Sequence, residues 1–216
     1  MPKVMENGKL VDMPDFGRAD DEGRFVRWES PFRDWVTADG SSGFPAEPGR
    51  YRLYVSYACP WAHRTLIARR VKGLEDVIPV TVVHPHMGPE SWHFGECDGC
   101  NADPFFRSSY LYELYLRAKP DFTGVVTVPV LFDQQKSTIV NNESSEILRM
   151  LNSAFDAWGD DSVDLYPEAL QTEIDAVNGT VYENINNGVY RAGFARSQAA
   201  YEEAFDALFR TLDSLE

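Results

Sequence analysis

Tyr51-Arg52-Leu53-Tyr54-Val55-Ser56-Tyr57-Ala58-Cys59-Pro60-Trp61-Ala62-His63-Arg64-Thr65-Leu66-Ile67-Ala68-Arg69-Arg70-Val71 is the stretch on which the reading of this 216-residue chain turns. Its first seven residues alternate as a strand does. From Cys59 the pattern becomes helical, and Gly73 stops it. Pro60 falls in the first helical turn, where its missing N–H costs nothing. Cys59 is therefore expected between a strand and a helix, at the helix N-terminus. There the helix dipole and backbone N–H groups stabilise a thiolate, the nucleophilic form of the side chain. A buried structural cysteine belongs rather in mid-strand or mid-helix. Three residues on, where a dithiol oxidoreductase would carry a second cysteine, stands Ala62. Cys59 is thus expected to work as a monothiol, forming a mixed disulfide that an outside thiol resolves.

Outward from this stretch, residues 77–83 are β-branched and read as a buried strand. A long, less regular segment precedes a helix expected over 105–117 and ended by Pro120. Residues 126–132 read as a strand with Pro129 inside it. A proline cannot donate to a ladder, so this is an edge, a bulge or a cis-proline turn. Residues 138–140 form a short strand, and 141–151 open a helix whose first turn carries Glu and Ser, as helix starts prefer. Past about Asp156 only helical patterns remain, at 170–187 and 198–215. The order β-α-β-α-β-β-α, then helices, predicts an α/β thioredoxin-like N-terminal domain followed by a partial all-α domain. The expected divisions are an irregular extension over 1–47, a thiol-binding domain over 48–155 and the helices over 156–216. Phe16, Phe25, Trp28, Phe32, Trp35 and Phe44 are expected to pack the extension onto the body.

Composition narrows the function. Forty-four per cent apolar residues and five Trp suffice for a core, which excludes wholesale disorder. Against 20 Lys and Arg stand 34 Asp and Glu, a net charge of −14. That argues against nucleic acid and anionic membranes, whose phosphates would be repelled. Only five of the 20 basic residues are Lys, a balance that suits either a high-salt cytoplasm or an ordinary acidic enzyme. Three cysteines argue against a secreted disulfide scaffold, and no apolar stretch of signal-peptide length opens the chain, so a cytoplasmic location is expected.

Three further groups bear on the chemistry. A cis-proline at 129 would leave the Val128 backbone open to an extended thiol peptide, by strand addition; the alternative is a proline that guards a sheet edge. Glu143 and Ser144 open a helix, whose N–H groups bind carboxylates, and Glu143 can accept from an ammonium group. They fit an amino-acid head or serve as a plain cap. Cys97-Asp98-Gly99-Cys100 is open to three readings: incidental loop cysteines, a local or regulatory disulfide, or, with His84, His86 and His93, a zinc site. His63 could add positive charge near Cys59 or be a solvated helix-face residue.

Tyr57-Ala58-Cys59-Pro60-Trp61-Ala62-His63-Arg64 resembles the active-site signature of the xi-class glutathione transferases, the glutathionyl-hydroquinone reductases. Further matches are Trp92, Thr127-Val128-Pro129-Val130-Leu131, Ile139-Val140-Asn141-Asn142-Glu143-Ser144-Ser145-Glu146-Ile147 and Asn187-Gly188-Val189-Tyr190-Arg191-Ala192-Gly193-Phe194-Ala195. The resemblance runs from about residue 25 to the end. It implies that Cys59 is catalytic, that Trp92, Val128, Pro129, Glu143 and Ser144 hold glutathione, and that Tyr190 lines the hydroquinone pocket. It implies no metal and no bound cofactor, with glutathione, or γ-glutamylcysteine in a salt-loving microbe, as co-substrate. The partners implied are that small thiol and an aromatic hydroquinone conjugate, with a homodimer once the helical domain is complete. Two other functions stay open: a conventional conjugating transferase, and a non-catalytic thiol-binding module. The family's helical domain is longer. The helical pattern here runs into Leu215-Glu216, so a truncated or split product is expected, with Val177, Val181, Ile185, Phe205, Leu208, Phe209 and Leu212 seeking a partner.

Overall fold

The computed structural model describes residues 3–13 and 18–216. Lys3–Glu6 (β1) and Lys9–Asp12 (β2) form an antiparallel hairpin. Its turn is Asn7-Gly8, with both residues at positive φ (49° and 76°). Asn-Gly suits such a turn because its twist matches that of the strands. Gly8 has a second reason to be glycine: a Cβ there would run into the Pro120 carbonyl. The hairpin docks through paired bonds between Met5 and Gly124 (3.0 and 2.9 Å). Arg18–Ala19 (β3) and Phe25–Val26 (β4) make a second short hairpin. The extension is thus more regular than its composition predicts. Phe44 is buried within it, Trp35 faces solvent, and Phe16 lies outside the described residues.

Tyr51–Val55 (β5), Pro60–Val71 (α1), Val80–Val82 (β6), Tyr112–Ala118 (α2), Val130–Asp133 (β7), Thr138–Asn141 (β8) and Ser144–Ser153 (α3) follow in the expected order. The sheet runs β6-β5-β7-β8, with β5 and β6 parallel and the other pairs antiparallel. This is the thioredoxin arrangement. It brings the ends of β5, β6 and β8 and the start of β7 to one edge of the sheet. Tyr51, Leu53, Tyr54, Leu131, Phe132 and Phe155 are among its fully buried residues. At the opposite edge the buried Asp133 accepts from Arg50 Nη2 (2.6 Å) and Nε (3.0 Å). The strand expected over 126–132 starts only at Val130, because Pro129 has no N–H to give a ladder. The helix expected from 105 starts at Tyr112, because the Asp103 carboxylate ties down the N–H groups of Phe105, Phe106 and Ser108 (3.2–3.3 Å).

A 3-10 turn at Glu168–Leu170 leads into Gln171–Val181 (α4), a π-helical stretch Tyr182–Asn186, Gly188–Gly193 (α5) and Gln198–Leu215 (α6). Ser197 caps α6 by accepting from Ala200 N at 3.2 Å. Ala200, Ala204, Leu208 and Thr211 form its buried stripe. Leu208, expected outside, therefore packs inward, where it meets Gly188. Phe205, Phe209 and Leu212 are exposed as expected.

The contacts divide the chain into two compact units. One comprises residues 3–13 and 30–165, the other residues 18–29 and 166–216. The division at 165 rather than 155 has a physical cause. The buried Lys72 ammonium donates to Asp156 (2.8 Å) and to the Val163 carbonyl (2.7 Å). Asn152 holds Asp164 (2.9 Å) and accepts from Leu165 N (2.7 Å). Residues 18–29 join the helices through Arg24 to Glu203 (2.9 Å) and Arg196 N to Gly23 O (2.9 Å). Among the described residues no helix is long and apolar enough to cross a membrane.

Candidate active site

Cys59 is the N-cap residue of α1, with Pro60 as the first helical residue. The chain leaves β5 through Ser56-Tyr57-Ala58, and Cys59 N closes the turn on Ser56 O at 3.1 Å. Cys59 stands as a half-buried thiol, and its Sγ donates to the Val128 carbonyl at 3.4 Å. Val128 is buried and joined to Pro129 by a cis peptide bond, the third of the alternatives for this proline. The buried Ala62 occupies the next helical turn below the thiol.

Glu143 is the N-cap of α3: its Oε1 accepts from Ser145 N (3.2 Å) and Ser145 Oγ (3.1 Å). Its other oxygen accepts from Ser30 Oγ at 3.3 Å. Ser144 is buried in the first turn. The capping role is thus present in the structure, and it leaves an anionic oxygen at the helix start. Glu143 N is oriented by Asn141 Oδ1 at 2.7 Å.

A link between these two groups is not visible in the sequence. The Tyr115 hydroxyl donates to Thr127 O (2.8 Å) and accepts from Thr127 N and from Asn142 Nδ2, both at 3.2 Å. One side chain of α2 therefore clamps the cis-proline loop to the residue before Glu143. Burial pushes the Tyr115 hydroxyl above its ordinary pKa, so it remains a proton donor at neutral pH. The available signal was only its place on the inner face of a helix. Ser30 gave no signal at all.

Trp92 lies half-buried on the long connection from β6 to α2, which leaves from the Cys59 edge of the sheet; its carbonyl accepts from Leu111 N at 2.9 Å. On the same connection the rings of His84 and His93 stack at 4.6 Å. Burial, reinforced by His84, pushes His93 below the usual imidazole pKa against an opposing bond from His86. Cys97 and Cys100 are joined as a disulfide, which takes both sulfurs away from the zinc reading. Among the described residues no group of three or more His, Cys, Asp and Glu could hold a metal ion. Tyr190 belongs to the second unit. There Arg27 lies 4.4 Å above its ring and donates to Asn187 Oδ1 at 2.6 Å, and Phe25 stacks beside it at 6.3 Å.

Residues 58–154 match the family model of the glutathione S-transferase N-terminal domain. The chain is 54% identical over 201 residues to the glutathionyl-hydroquinone reductase YqjG of Escherichia coli K12, covering 90% of this chain and 61% of that protein. The glutathione-bound structure of YqjG superposes with a TM-score of 0.86 at 48% identity, over 98% of this chain and 65% of that one. The xi glutathione transferase of Phanerochaete chrysosporium superposes with a TM-score of 0.88 at 50% identity, over 92% of this chain and 64% of that one. The glutathione S-transferase omega-like 3 of Saccharomyces cerevisiae is 37% identical over 248 residues, 94% of this chain and 67% of that protein. The chain thus spans about three fifths of the length of YqjG. Within that span sequence and backbone agree, and the chain belongs to the xi class of the glutathione transferase family.

Proposed function

We propose that this chain carries the thiol-exchange centre of a glutathionyl-hydroquinone reductase, with Cys59 as its nucleophile. The observation that carries the reading is the setting of that one sulfur. It lies at the start of α1, 3.4 Å from the carbonyl before a cis-proline, with alanine where a resolving cysteine would stand. A conjugating transferase activates the thiol of glutathione itself, and a cysteine placed here forms a mixed disulfide with it instead.

Two steps follow. The Cys59 thiolate attacks the sulfur of an S-glutathionyl-hydroquinone. The new S–S bond forms as the S–C(aryl) bond breaks, and the aryl carbon keeps that electron pair and takes a proton. The hydroquinone leaves, reduced by two electrons, and Cys59 carries a glutathionyl group. A second glutathione thiolate then attacks the glutathionyl sulfur, releasing glutathione disulfide and the Cys59 thiolate. The Val128 backbone would pair with the cysteinyl part of the bound thiol by strand addition. The Glu143 carboxylate would take the γ-glutamyl ammonium, and the α3 N–H groups with Ser144 its carboxylate. γ-Glutamylcysteine presents the same head, so both thiols fit. Trp92 would flank the peptide, and Tyr190 would offer its hydroxyl to the hydroquinone oxygen.

A turnover assay with synthetic S-glutathionyl-hydroquinone, run with each thiol, tests the reading. Cys59→Ser should lower hydroquinone release on the order of 10³-fold or more, as loss of a covalent nucleophile does. Mass spectrometry after exposure to glutathione disulfide should find a glutathionyl group on Cys59. A Cys59→Ser variant that turns over near the parent rate, or a Cys59 that takes no adduct, overturns it.

A further inference from the structure

The Cys97–Cys100 turn has no part in that chemistry, yet it is tied to the same edge of the sheet. Cys97 O accepts from Cys100 N at 3.1 Å, Gly99 sits at φ 78°, and the two cysteine Cα atoms are 5.1 Å apart. On one side the turn is moored to β6. Cys100 Sγ lies 3.8 Å from Val83 O, while Asn101 N donates to Val82 O (3.0 Å) and Asn101 Oδ1 accepts from Val82 N (3.2 Å). Val83 N in turn donates to Val55 O at 2.9 Å, four residues before Cys59. On the other side the turn leans on Tyr57: a Cβ at Gly99 would come within 3.0 Å of the Tyr57 ring. Tyr57 is 63% exposed, so this ring has little else to hold it. Cys97 and Cys100 are both half-buried, so each keeps part of its surface open to a small reagent.

We propose that Cys97 and Cys100 form a second thiol–disulfide exchange site, whose substrate is a low-molecular-weight symmetrical disulfide and whose state is transmitted to the mouth of Cys59 through Tyr57. The supply of that disulfide rests on the function proposed above, in which resolution of the Cys59 adduct releases it at this edge. In the reduced turn one thiolate attacks a sulfur of the disulfide RS–SR and expels RS⁻. The second thiolate attacks the resulting mixed disulfide at the protein sulfur and expels the other RS⁻. The protein dithiol is oxidised by two electrons, RS–SR is reduced to two RSH, and the two protons pass from the cysteines to the leaving thiolates. The structure holds the oxidised state, with the turn set against Tyr57. Tyr57 is then a positioning residue: the closed turn fixes its ring beside the Cys59 loop, and the reduced turn releases it. Glu96 and Asp98 flank Cys97 and repel an anionic disulfide, so exchange should quicken as salt screens them.

The exchange is tested on the reduced full chain carrying Cys59→Ser, incubated with glutathione disulfide and mapped by mass spectrometry. Cys97 and Cys100 should be recovered in one cross-linked peptide that has lost two hydrogens, and excess glutathione should reopen it. Two thiols that stay alkylatable, or that stop as stable glutathione adducts, overturn the proposal. Since Cys59 is absent from this assay, its outcome is independent of the turnover test. The coupling is read as the alkylation rate of Cys59 in the parent chain with the turn oxidised and reduced. Reduction should speed it on the order of threefold or more, because thiolate reactivity follows access. Cys97→Ser/Cys100→Ser should show the faster rate in both conditions, and Tyr57→Ala should abolish the difference. Equal rates in the parent chain, or a difference that survives in Tyr57→Ala, overturn the route through Tyr57.

Discussion

Tyr115 puts one oxygen in contact with the Thr127 carbonyl, the Thr127 N–H and the Asn142 amide. Removing it as Tyr115→Phe leaves the ring in place among Phe32 and Phe122 but strips the Thr127 backbone of this partner and leaves Asn142 Nδ2 with its longer bond to Thr127 Oγ1 (3.4 Å). Orphaning buried polar groups costs about 1–3 kcal/mol. Urea denaturation should register that loss, and calorimetry should show weaker binding of glutathione, since the cis-proline loop loses its clamp. Unchanged stability would show that water replaces the hydroxyl. Glu143 presents a different separation. Glu143→Gln keeps an oxygen for Ser145 N, so the helix cap survives and stability should move by less than about 1 kcal/mol. Affinity for glutathione should fall about tenfold, the difference between a charge-assisted and a neutral bond to an ammonium. Parallel losses in stability and affinity would assign Glu143 to capping alone.

At the scale of the element, α3 is anchored from its first turn. Glu146 takes both Arg33 Nε (2.7 Å) and Arg33 Nη2, and Asn141 Nδ2 adds a third bond at 2.7 Å. Burial pushes the Glu146 carboxyl up, but the bonds from Arg33 and Asn141 outweigh it and hold it below its ordinary pKa. A depressed folded-state pKa stabilises the protein above the unfolded value of about 4.3, and that stabilisation fades as pH falls through the folded value. Glu146→Gln should therefore lower stability at pH 7 and flatten the acid limb of the stability curve; a parallel acid limb would exclude Glu146 as its source. The segment after α3 is just as tight. A Cβ at Gly159 would lie 2.6 Å from the Lys72 carbonyl and 2.8 Å from Leu74, so Gly159→Ala should cost about 1–3 kcal/mol in a thermal melt. Long elements are legible in the sequence, since α1 and α6 follow from periodicity, proline placement and Gly73. The short ones are not. The hairpin of β1 and β2 has four residues a side, too few for a period, although its Asn7-Gly8 turn is a usable signal. The start of α2 depends on one side chain, Asp103, bonding to N–H groups after it. In the site, Cys59, Pro129 and Glu143 are readable because local chain geometry dictates their setting. Tyr115 and Ser30 are not, because their partners are distant in sequence.

The whole molecule carries 14 excess negative charges, and its repulsion is collective. Exposed pairs such as Arg24–Glu203 and Arg191–Glu183 offset little of it, because solvent screens them. Screening shortens the reach of exposed charges from about 30 Å at 0.01 M salt to about 3 Å at 1 M. The melting temperature should rise across that range; a fall would mean that the surface pairs dominate. The scarcity of lysine has a practical side. All five lysines, Lys3, Lys9, Lys72, Lys119 and Lys136, lie in the first unit, and Lys72 is sealed inside it. Side-chain amine chemistry on the native chain will therefore decorate the sheet-bearing unit alone, leaving the helices unlabelled. A dye or a solid support can be attached there without touching α4 to α6. Modification of Lys72 then becomes a clock, advancing only when that unit opens to solvent.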